Sequence, residues 1–287
     1  MAQERELKRR IRSVKNAKQI TKALEVVAAS RMRKVVVLVA DSRRYGETAA
    51  GIIQRIAGNP EAKNLSYFQP ATDKPSLYVV ITSDRGQAGA FNSNVFNLTL
   101  SMIKEERQRP QVIAYGRKGA RFFANLQGID LRGTFEDIGD TPDVNVFAPA
   151  MEIITSELAS GDIGKVVIIY TQFISSLTQR ASAFQLLPVD LSEVEQPEQP
   201  GKVYEFEPEI TDVLEESIRL YCEAKLMQSK IESAASEQAM RMVAMGNANR
   251  NATDLIDSLT LELNATRQAA ITQEIAEITG GAAAIAS

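Results

Sequence analysis

Two long stretches without helix-breaking residues lie at the two ends of the chain. Residues 1–44 contain neither glycine nor proline, and residues 209–279 contain no proline and a single glycine, Gly246. Helix interiors exclude proline because it lacks the N–H and its ring collides with the preceding turn. At a rise of about 1.5 Å per residue, unbroken helices over these stretches would be roughly 65 Å and roughly 100 Å long. A chain of 287 residues has no core of that length, so we predict that the two helices pack on each other as an antiparallel coiled coil.

Apolar side chains recur at helical spacing along both stretches. In the first stretch they fall mostly at steps of three, four or seven residues, as expected for one apolar stripe on a helix. The run VVVLVA, residues 35–40, interrupts this pattern. It marks either the place where the helix is buried by the central domain or a local strand tendency that tertiary packing overrides. Gly58, Asn59 and Pro60 predict the end of the first helix.

Charge is distributed unevenly between the two ends. Residues 1–45 contain thirteen Lys or Arg against four acids, whereas residues 208–287 contain twelve acids against six bases. Opposite net charges favour pairing of the two helices. Two interpretations of the basic helix stay open, since its charges could be a solvated face or could meet an acidic partner.

Segments rich in β-branched residues alternate with helical segments in the middle of the chain. Strands are predicted over residues 77–82, 111–115, 129–134, 165–171 and 182–189, with helices over 93–107, 117–126 and 146–159. The last strand carries Pro188, which cannot donate to a strand ladder, and is therefore placed at a sheet edge. This alternation predicts a Rossmann-like α/β domain with a mainly parallel sheet.

The predicted fold class is therefore α/β, with a long antiparallel coiled coil of the N- and C-terminal helices. Its expected parts are listed in chain order: the N-terminal coiled-coil helix (1–58), a linker (59–76), the central α/β domain (77–189), an acidic and proline-rich linker (190–208) and the C-terminal coiled-coil helix (209–287).

Composition excludes several kinds of active site. The sequence has no histidine, which excludes a His general base, a Ser-His-Asp triad and a His-ligated metal. Its single cysteine, Cys222, excludes a thiolate zinc site and an internal disulfide. No apolar run approaches the ~20 residues that span a bilayer, and the first residues lack a signal-peptide pattern. We therefore expect any membrane role to be peripheral.

The loop SDRGQAGAFN, residues 83–92, follows a predicted strand and is a candidate phosphate loop. It matches neither G-x-G-x-x-G nor the Walker A pattern, and no Lys-Ser or Lys-Thr follows its glycines. We therefore predict a demanding turn that needs Gly86 and Gly89, and no bound cofactor. Two further hypotheses stay open: a coiled-coil adaptor or nucleic-acid-binding protein, and an enzyme that acts on a small molecule in the α/β domain.

Four segments carry a resemblance to a known family. RIRSVKNAKQITKALEVVAASRMRK (residues 10–34) resembles the N-terminal helix of the γ subunit of F-type ATP synthase. ASEQAMRMVAMGNANRNA (235–252) and RQAAITQEIAEITGGAAA (267–284) resemble its C-terminal helix, and SDRGQAGAFN resembles its SDRG-x-x-G-x-x-N loop. The resemblance covers nearly the whole chain, and the terminal ITQEIAEI-x-x-GA pattern is highly specific.

This resemblance implies a non-catalytic central stalk, or rotor shaft. Its coiled coil would stand inside a hexamer of alternating α and β subunits, and its α/β domain would contact the ε subunit and the membrane-embedded c-ring. Proton flow would turn ring and stalk together, and the stalk would drive each catalytic β subunit through the states that bind, form and release ATP. The resemblance implies no cofactor and no nucleic acid. Length and the lack of a presequence favour a peripheral protein on the cytoplasmic face of the bacterial inner (plasma) membrane.

The resemblance also implies partner contacts for the C-terminal helix. Arg267 and Gln268 would contact a loop of a β subunit. Residues 271–284, which include Ile271 and Glu274, would turn in an apolar sleeve at the top of the hexamer.

The N-terminal helix and the second linker would supply the other partner contacts. Leu24, with Arg31, Arg33 and Lys34 nearby, would face the moving, acidic lower region of a β subunit. Glu207 would lie near the ε subunit and the polar loops of the ring.

Overall fold

The computed structural model describes residues 2–57, 67–69, 71, 73–189 and 210–286. The long terminal helices are α1 (Ala2–Ala57) and α5 (Ile210–Ala286). The segments between them are listed in chain order: β1 (Ser76–Ile81), α2 (Phe91–Glu105), β2 (Gln111–Tyr115), α3 (Arg117–Ala124), β3 (Asp130–Phe135), a 3₁₀ turn (Val144–Phe147), α4 (Ala148–Ala159), β4 (Lys165–Phe173) and β5 (Gln179–Leu187).

The chain divides into two compact units. The terminal unit comprises Met1–Ala28 and Met242–Ser287, and the central unit comprises Ala29–Arg241. Residues of both long helices belong to both units.

The central unit is built on one five-stranded sheet. Its strand order is β3-β2-β1-β4-β5, in which β1 to β4 pair in parallel and β5 pairs antiparallel with β4. The predicted α/β class and mainly parallel sheet are confirmed, and β5 is an edge strand as Pro188 indicated. Pro188 itself lies just beyond the end of β5, where no ladder bond is required.

Helices cover both faces of this sheet. Leu77, Val79 and Ile81 pack on one face with α4 and with parts of α1 and α5. Tyr78 and Val80 point to the opposite face, where α2 and α3 cover them. Because strand side chains alternate between faces, a strand covered on both sides must be apolar throughout, and all six residues of β1 are buried.

The run at residues 35–40 is helical. Val35 and Val39 lie one turn apart on α1 and are buried against Phe173 of β4 and Ile231 of α5. Of the two explanations that the sequence left open, burial by the central part of the chain is therefore confirmed.

The two long helices run antiparallel in each unit. In the central unit, Arg43 of α1 contacts Glu232 of α5, and Gly46 lies beside Gln228. In the terminal unit, Leu7 and Ile11 pack against Leu259, and Glu25 lies beside Gly246. In both units residue numbers rise along one helix as they fall along the other, which confirms the predicted antiparallel pairing. Among the described residues, no helix combines the length and apolar character that a membrane crossing requires.

Two glycines have similar positive φ angles but different surroundings. Substitutions at these two positions therefore separate the cost of backbone strain from the cost of steric overlap. Gly116 has φ +92° and Gly128 has φ +88°, a region that side chains adopt at a cost. A Cβ at Gly116 would overlap the Thr82 carbonyl group, whereas a Cβ at Gly128 would meet nothing within 4 Å. We predict that Gly128→Ala lowers the free energy of unfolding by about 1–2 kcal/mol and that Gly116→Ala lowers it by at least about 4 kcal/mol.

Urea unfolding of the full-length chain, followed by tyrosine fluorescence, measures both variants. If both variants lose the same free energy of unfolding, Gly116, which directly follows β2, does not lie as close to the Thr82 backbone as the structure shows.

Candidate functional site

The carboxyl end of β4 extends beyond its parallel neighbour. The last pair in the register of β1 and β4 is Val80 with Ile169, whereas β4 continues to Phe173. On its other edge β4 stays paired with β5 as far as Phe173. Residues 170–173 therefore have no β1 partner, although Thr171 and Phe173 are buried. Buried backbone N–H and C=O groups need hydrogen-bond partners, so another element must supply them.

Side chains of the two long helices supply those partners. Ser233 Oγ accepts from the Thr171 N–H at 3.1 Å, and Ser236 Oγ donates to the Thr171 carbonyl at 3.2 Å. Glu232 Oε2 accepts from the Phe173 N–H at 3.1 Å, and Arg43 donates to the Phe173 carbonyl at 2.6 Å. We call Arg43, Glu232, Ser233 and Ser236 the joint, because they bond α1 and α5 directly to the main chain of β4.

Arg43 and Glu232 form a bidentate ion pair at the centre of the joint. Arg43 Nε and one terminal nitrogen donate to the two carboxylate oxygens at 2.9 and 2.8 Å. The Glu232 side chain is only 1% exposed, and it also accepts from Gln228 at 3.1 Å. The hydrogen bonds to Glu232 raise the pKa of Arg43, against the opposing effect of burial. A buried carboxylate is tolerable only with such complete pairing.

A second connection joins α5 to the loop after β1. Arg241 pairs with Glu237 one turn away and donates to the carbonyl oxygen of Gly86 at 3.3 Å. Gln238 donates to the Asp140 carboxylate at 3.2 Å. Burial raises the pKa of Glu237, whereas its contacts with Arg241 act in the opposite direction.

These contacts place α5 at the crevice where folds of this type hold ligands. Open α/β sheets bind ligands outside the carboxyl ends of the strands, at the point where the strand order reverses. In this sheet that point lies between β1 and β4, since β2 flanks β1 on one side and β4 flanks it on the other. Residues of α5 contact the end of β4 at Thr171 and the loop after β1 at Gly86. The helix therefore stands where a nucleotide would have to sit.

The loop of residues 83–92 is a structural turn, but one of its predicted glycine requirements is wrong. Positive φ angles occur at Gln87 (64°) and Gly89 (58°), and Gly86 is not among the glycines with positive φ. A Cβ at Gly86 would come no closer than 3.8 Å to the Lys118 side chain. Gly89 meets the expectation of a left-handed residue, whereas at position 86 neither backbone angle nor space requires glycine.

All the residues predicted to contact partners except Glu207 lie on the two long helices, in both units. Leu24 is half-buried in the terminal unit, and Arg31, Arg33 and Lys34 are exposed in the central unit. Glu207 lies outside the described residues.

Arg267, Gln268, Ile271 and Glu274 are all exposed in the terminal unit. The structure leaves their side chains available for partners, and their proposed contacts stay predictions.

An apolar stripe continues along the exposed end of α5. Ile271, Ile275 and Ile278 are 48%, 57% and 71% exposed. They follow one another at steps of four and three residues, so they share one face of the helix. Exposed apolar side chains that form a contiguous row mark an interaction surface more often than isolated ones do.

Comparisons with known proteins place the whole chain in one group. The family model described as ATP synthase matches residues 3–285. The ATP synthase gamma chain of Desulfitobacterium hafniense is 36% identical over 286 residues, which cover 99% of this chain and 100% of that protein. The gamma chain of Moorella thermoacetica is 38% identical over 288 residues, with the same coverage.

Solved structures show the same fold. A chain from the central stalk and c-ring of Tetrahymena thermophila mitochondrial ATP synthase matches with a TM-score of 0.63 and 25% identity, covering 80% of this chain and 99% of that one. A chain from Euglena gracilis mitochondrial ATP synthase in rotational state 3 matches with a TM-score of 0.72 and 20% identity, covering 99% of this chain and 95% of that one.

The ion pair at the joint yields a stability prediction. Arg43→Met would leave the Glu232 carboxylate buried without its cation, and we expect a loss of about 3–5 kcal/mol in the free energy of unfolding. Adding Glu232→Gln to the same chain removes the uncompensated charge and should recover part of that loss.

The control is Arg219→Met, which breaks a surface pair with Glu223 in which the arginine is 54% exposed; it should leave the free energy of unfolding nearly unchanged, because exposed ion pairs contribute little. Urea unfolding of the full-length variants measures all three. If Arg43→Met lowers the free energy of unfolding no more than Arg219→Met does, the joint does not hold a buried charge.

Proposed function

This chain belongs to the ATP synthase gamma chain family, and on that premise we propose that it is the central rotor shaft of an F-type ATP synthase. The shaft couples rotation of the membrane c-ring, driven by proton flow, to conformational cycling of the catalytic β subunits. Gamma chains are non-catalytic subunits of this complex, so the chain transmits motion and the chemistry belongs to its partners.

The observation that carries this proposal is the extent of the family match. It spans residues 3–285 and so includes both long helices and the α/β domain between them. A match confined to the α/β domain would have left an enzyme or an adaptor open. The occupied crevice at the ends of β1 and β4 adds a physical reason against a small-molecule enzyme.

Four kinds of partner follow from this function. The α and β subunits of the hexamer surround the long helices, and the ε subunit and the c-ring contact the α/β domain. The similar Tetrahymena chain belongs to a central stalk with a c-ring, and the Euglena chain to an assembly with F1 and a c-ring. In the same assignment, Glu207 lies near the ε subunit and the polar loops of the ring.

The end of α5 is assigned to the top of the hexamer. Arg267 and Gln268 contact a loop of a β subunit, and residues 271–284 turn in the apolar sleeve at the top of the hexamer. Support comes from exposure, since every side chain from 271 to 279 is exposed and Ile271, Ile275 and Ile278 form one apolar face. A pivot must present apolar surface without strong directional bonds, because several charge-assisted hydrogen bonds of roughly 1.5–3 kcal/mol each would hold it in one orientation.

The middle of α1 is assigned to the lower, acidic region of a β subunit. Arg31, Arg33 and Lys34 are exposed and can meet carboxylates there, and the half-buried Leu24 supplies an apolar contact. Exposed basic side chains opposite an acidic surface favour rapid, reversible contact more than tight binding. Contact of that kind suits a surface that moves past its partner.

The complex is associated with a membrane, and we assign this one to the cytoplasmic face of a bacterial inner membrane. The similar gamma chains of Desulfitobacterium hafniense, Legionella pneumophila and Moorella thermoacetica support a bacterial origin.

Two changes at the end of α5 test the pivot assignment. Deleting residues 280–287 shortens the apolar tail, and we expect the complex to assemble and to hydrolyse ATP at a substantial fraction of its normal rate. Replacing Arg267 and Gln268 together by Ala removes the polar grip on the β subunit and should lower the rate further. ATPase activity of both purified complexes, at matched subunit content, decides between them. Loss of turnover on deletion alone, with a silent double substitution, would refute the pivot assignment.

A charge at Leu24 tests the assignment of α1. Leu24→Lys places a cation in the contact with the β subunit and should lower the number of protons pumped per ATP hydrolysed, while the subunits still assemble. Leu24→Met is the matched control, since it keeps an apolar side chain of similar volume. Both are measured in reconstituted vesicles, and the assignment fails if Leu24→Lys pumps as efficiently as Leu24→Met.

A further inference from the structure

The joint connects the α/β domain to both long helices by bonds that resist rotation. Given the proposed function, which this inference rests on, torque enters through the α/β domain and leaves through the helices. We propose that the joint residues Arg43, Glu232, Ser233 and Ser236 carry this torque between β4 and the two helices. They act as positioning residues for rotation and have no part in the chemistry.

Directional bonds distinguish the joint from the apolar contacts around it. Val35, Val39 and Ile231 pack beside Phe173 in one buried cluster. Apolar burial is non-directional, so it holds surfaces together but opposes their sliding weakly. The hydrogen bonds of the joint fix both distance and angle, and those of Arg43 and Glu232 are charge-assisted and geometrically specific.

The hydrogen bonds among Arg43, Glu232 and the Phe173 main chain form a closed ring. Arg43 of α1 donates to Glu232 of α5 and to the Phe173 carbonyl of β4. Glu232 in turn accepts from the Phe173 N–H. The three elements therefore share one closed set of bonds, and a rotation of any one against another strains all of them.

The joint is bonded to the sheet at a strand, which resists bending more than a loop does. It bonds to the main chain of β4 at residues that stay paired with β5, and the preceding residues of the same strand are paired with β1 as well. The contact between Arg241 and Gly86 instead reaches a loop. A load applied at β4 is spread through the ladder into neighbouring strands, whereas a load applied at a loop is taken up by local bending.

Single-molecule rotation of the assembled complex tests this proposal. The hexamer is fixed to a surface, and a bead is attached to the α/β domain through Ser101→Cys, an exposed position on α2. The native Cys222 should not compete for the label, because it is fully buried and burial raises the pKa of its thiol. The variance of bead angle during pauses between ATP-driven steps measures the rotational compliance of the shaft.

Two variants weaken the joint and one matched variant spares it. Ser233→Ala with Ser236→Ala removes both bonds to Thr171, which is two of the four bonds to β4; the angular variance contributed by the joint should rise about twofold. Arg43→Lys keeps the positive charge but cannot form the bidentate hydrogen bonds to Glu232, and it should also raise the variance of the bead angle. Val39→Ala removes buried apolar contact in the adjacent cluster and should leave the variance unchanged.

The outcomes separate this inference from the proposed function. If the bead on the otherwise unaltered complex does not rotate with ATP, the rotor function itself is wrong. If it rotates and neither joint variant raises the variance, or if Val39→Ala raises it equally, the joint does not carry the torque. If the serine variant does not assemble, the comparison of Arg43→Lys with Val39→Ala decides alone.

Discussion

The main chain at the end of β4 is the constraint on which the central unit depends. A strand that outruns its neighbour exposes N–H and C=O groups, and at a buried place these groups must be paired. Ser233, Ser236, Glu232 and Arg43 pair them from two helices, in the position a further strand would occupy. Two helices are thereby bonded to the end of one strand. The helix α5 is buried on every side from residue 229 to 239 because it fills this place.

That arrangement also explains how a fold suited to nucleotides serves another purpose. The crevice between the ends of β1 and β4 offers backbone groups and loop termini, which other proteins of this architecture use for ligands. Here Arg241 meets the Gly86 carbonyl, and serines of α5 meet Thr171. The polar groups of the crevice are engaged by a helix of the same chain. The crevice is used here to attach a helix, which is consistent with a fold and a function being separable.

Sequence reasoning reached the fold but missed the joint, for physical reasons. The long helices follow from absent Gly and Pro, and the strands from β-branched runs such as residues 165–171, which leave few alternatives. Glu232, Ser233 and Ser236 instead read as an ordinary polar helix face, since a sequence does not show which polar residues lose water. Arg43 lies far from them along the chain. Gly86 was misjudged because Gln87 adopts the left-handed conformation that a glycine was expected to supply.

The end of α5 is stabilised by different interactions from those of the joint. Residues 271–279 are exposed on all sides, so tertiary packing within the described residues does not stabilise them. Alanine occurs at position 276 and, just before this segment, at positions 265, 269 and 270, and it is the residue with the highest helix propensity. Continuation from a helix already formed avoids the nucleation cost that makes short isolated helices marginal. A helix held by propensity can leave its apolar face unburied, and Ile271, Ile275 and Ile278 are thus available for the sleeve contact proposed above. In the proposed rotor, the joint would need directional bonds to resist slipping, whereas this end would need their absence in order to turn.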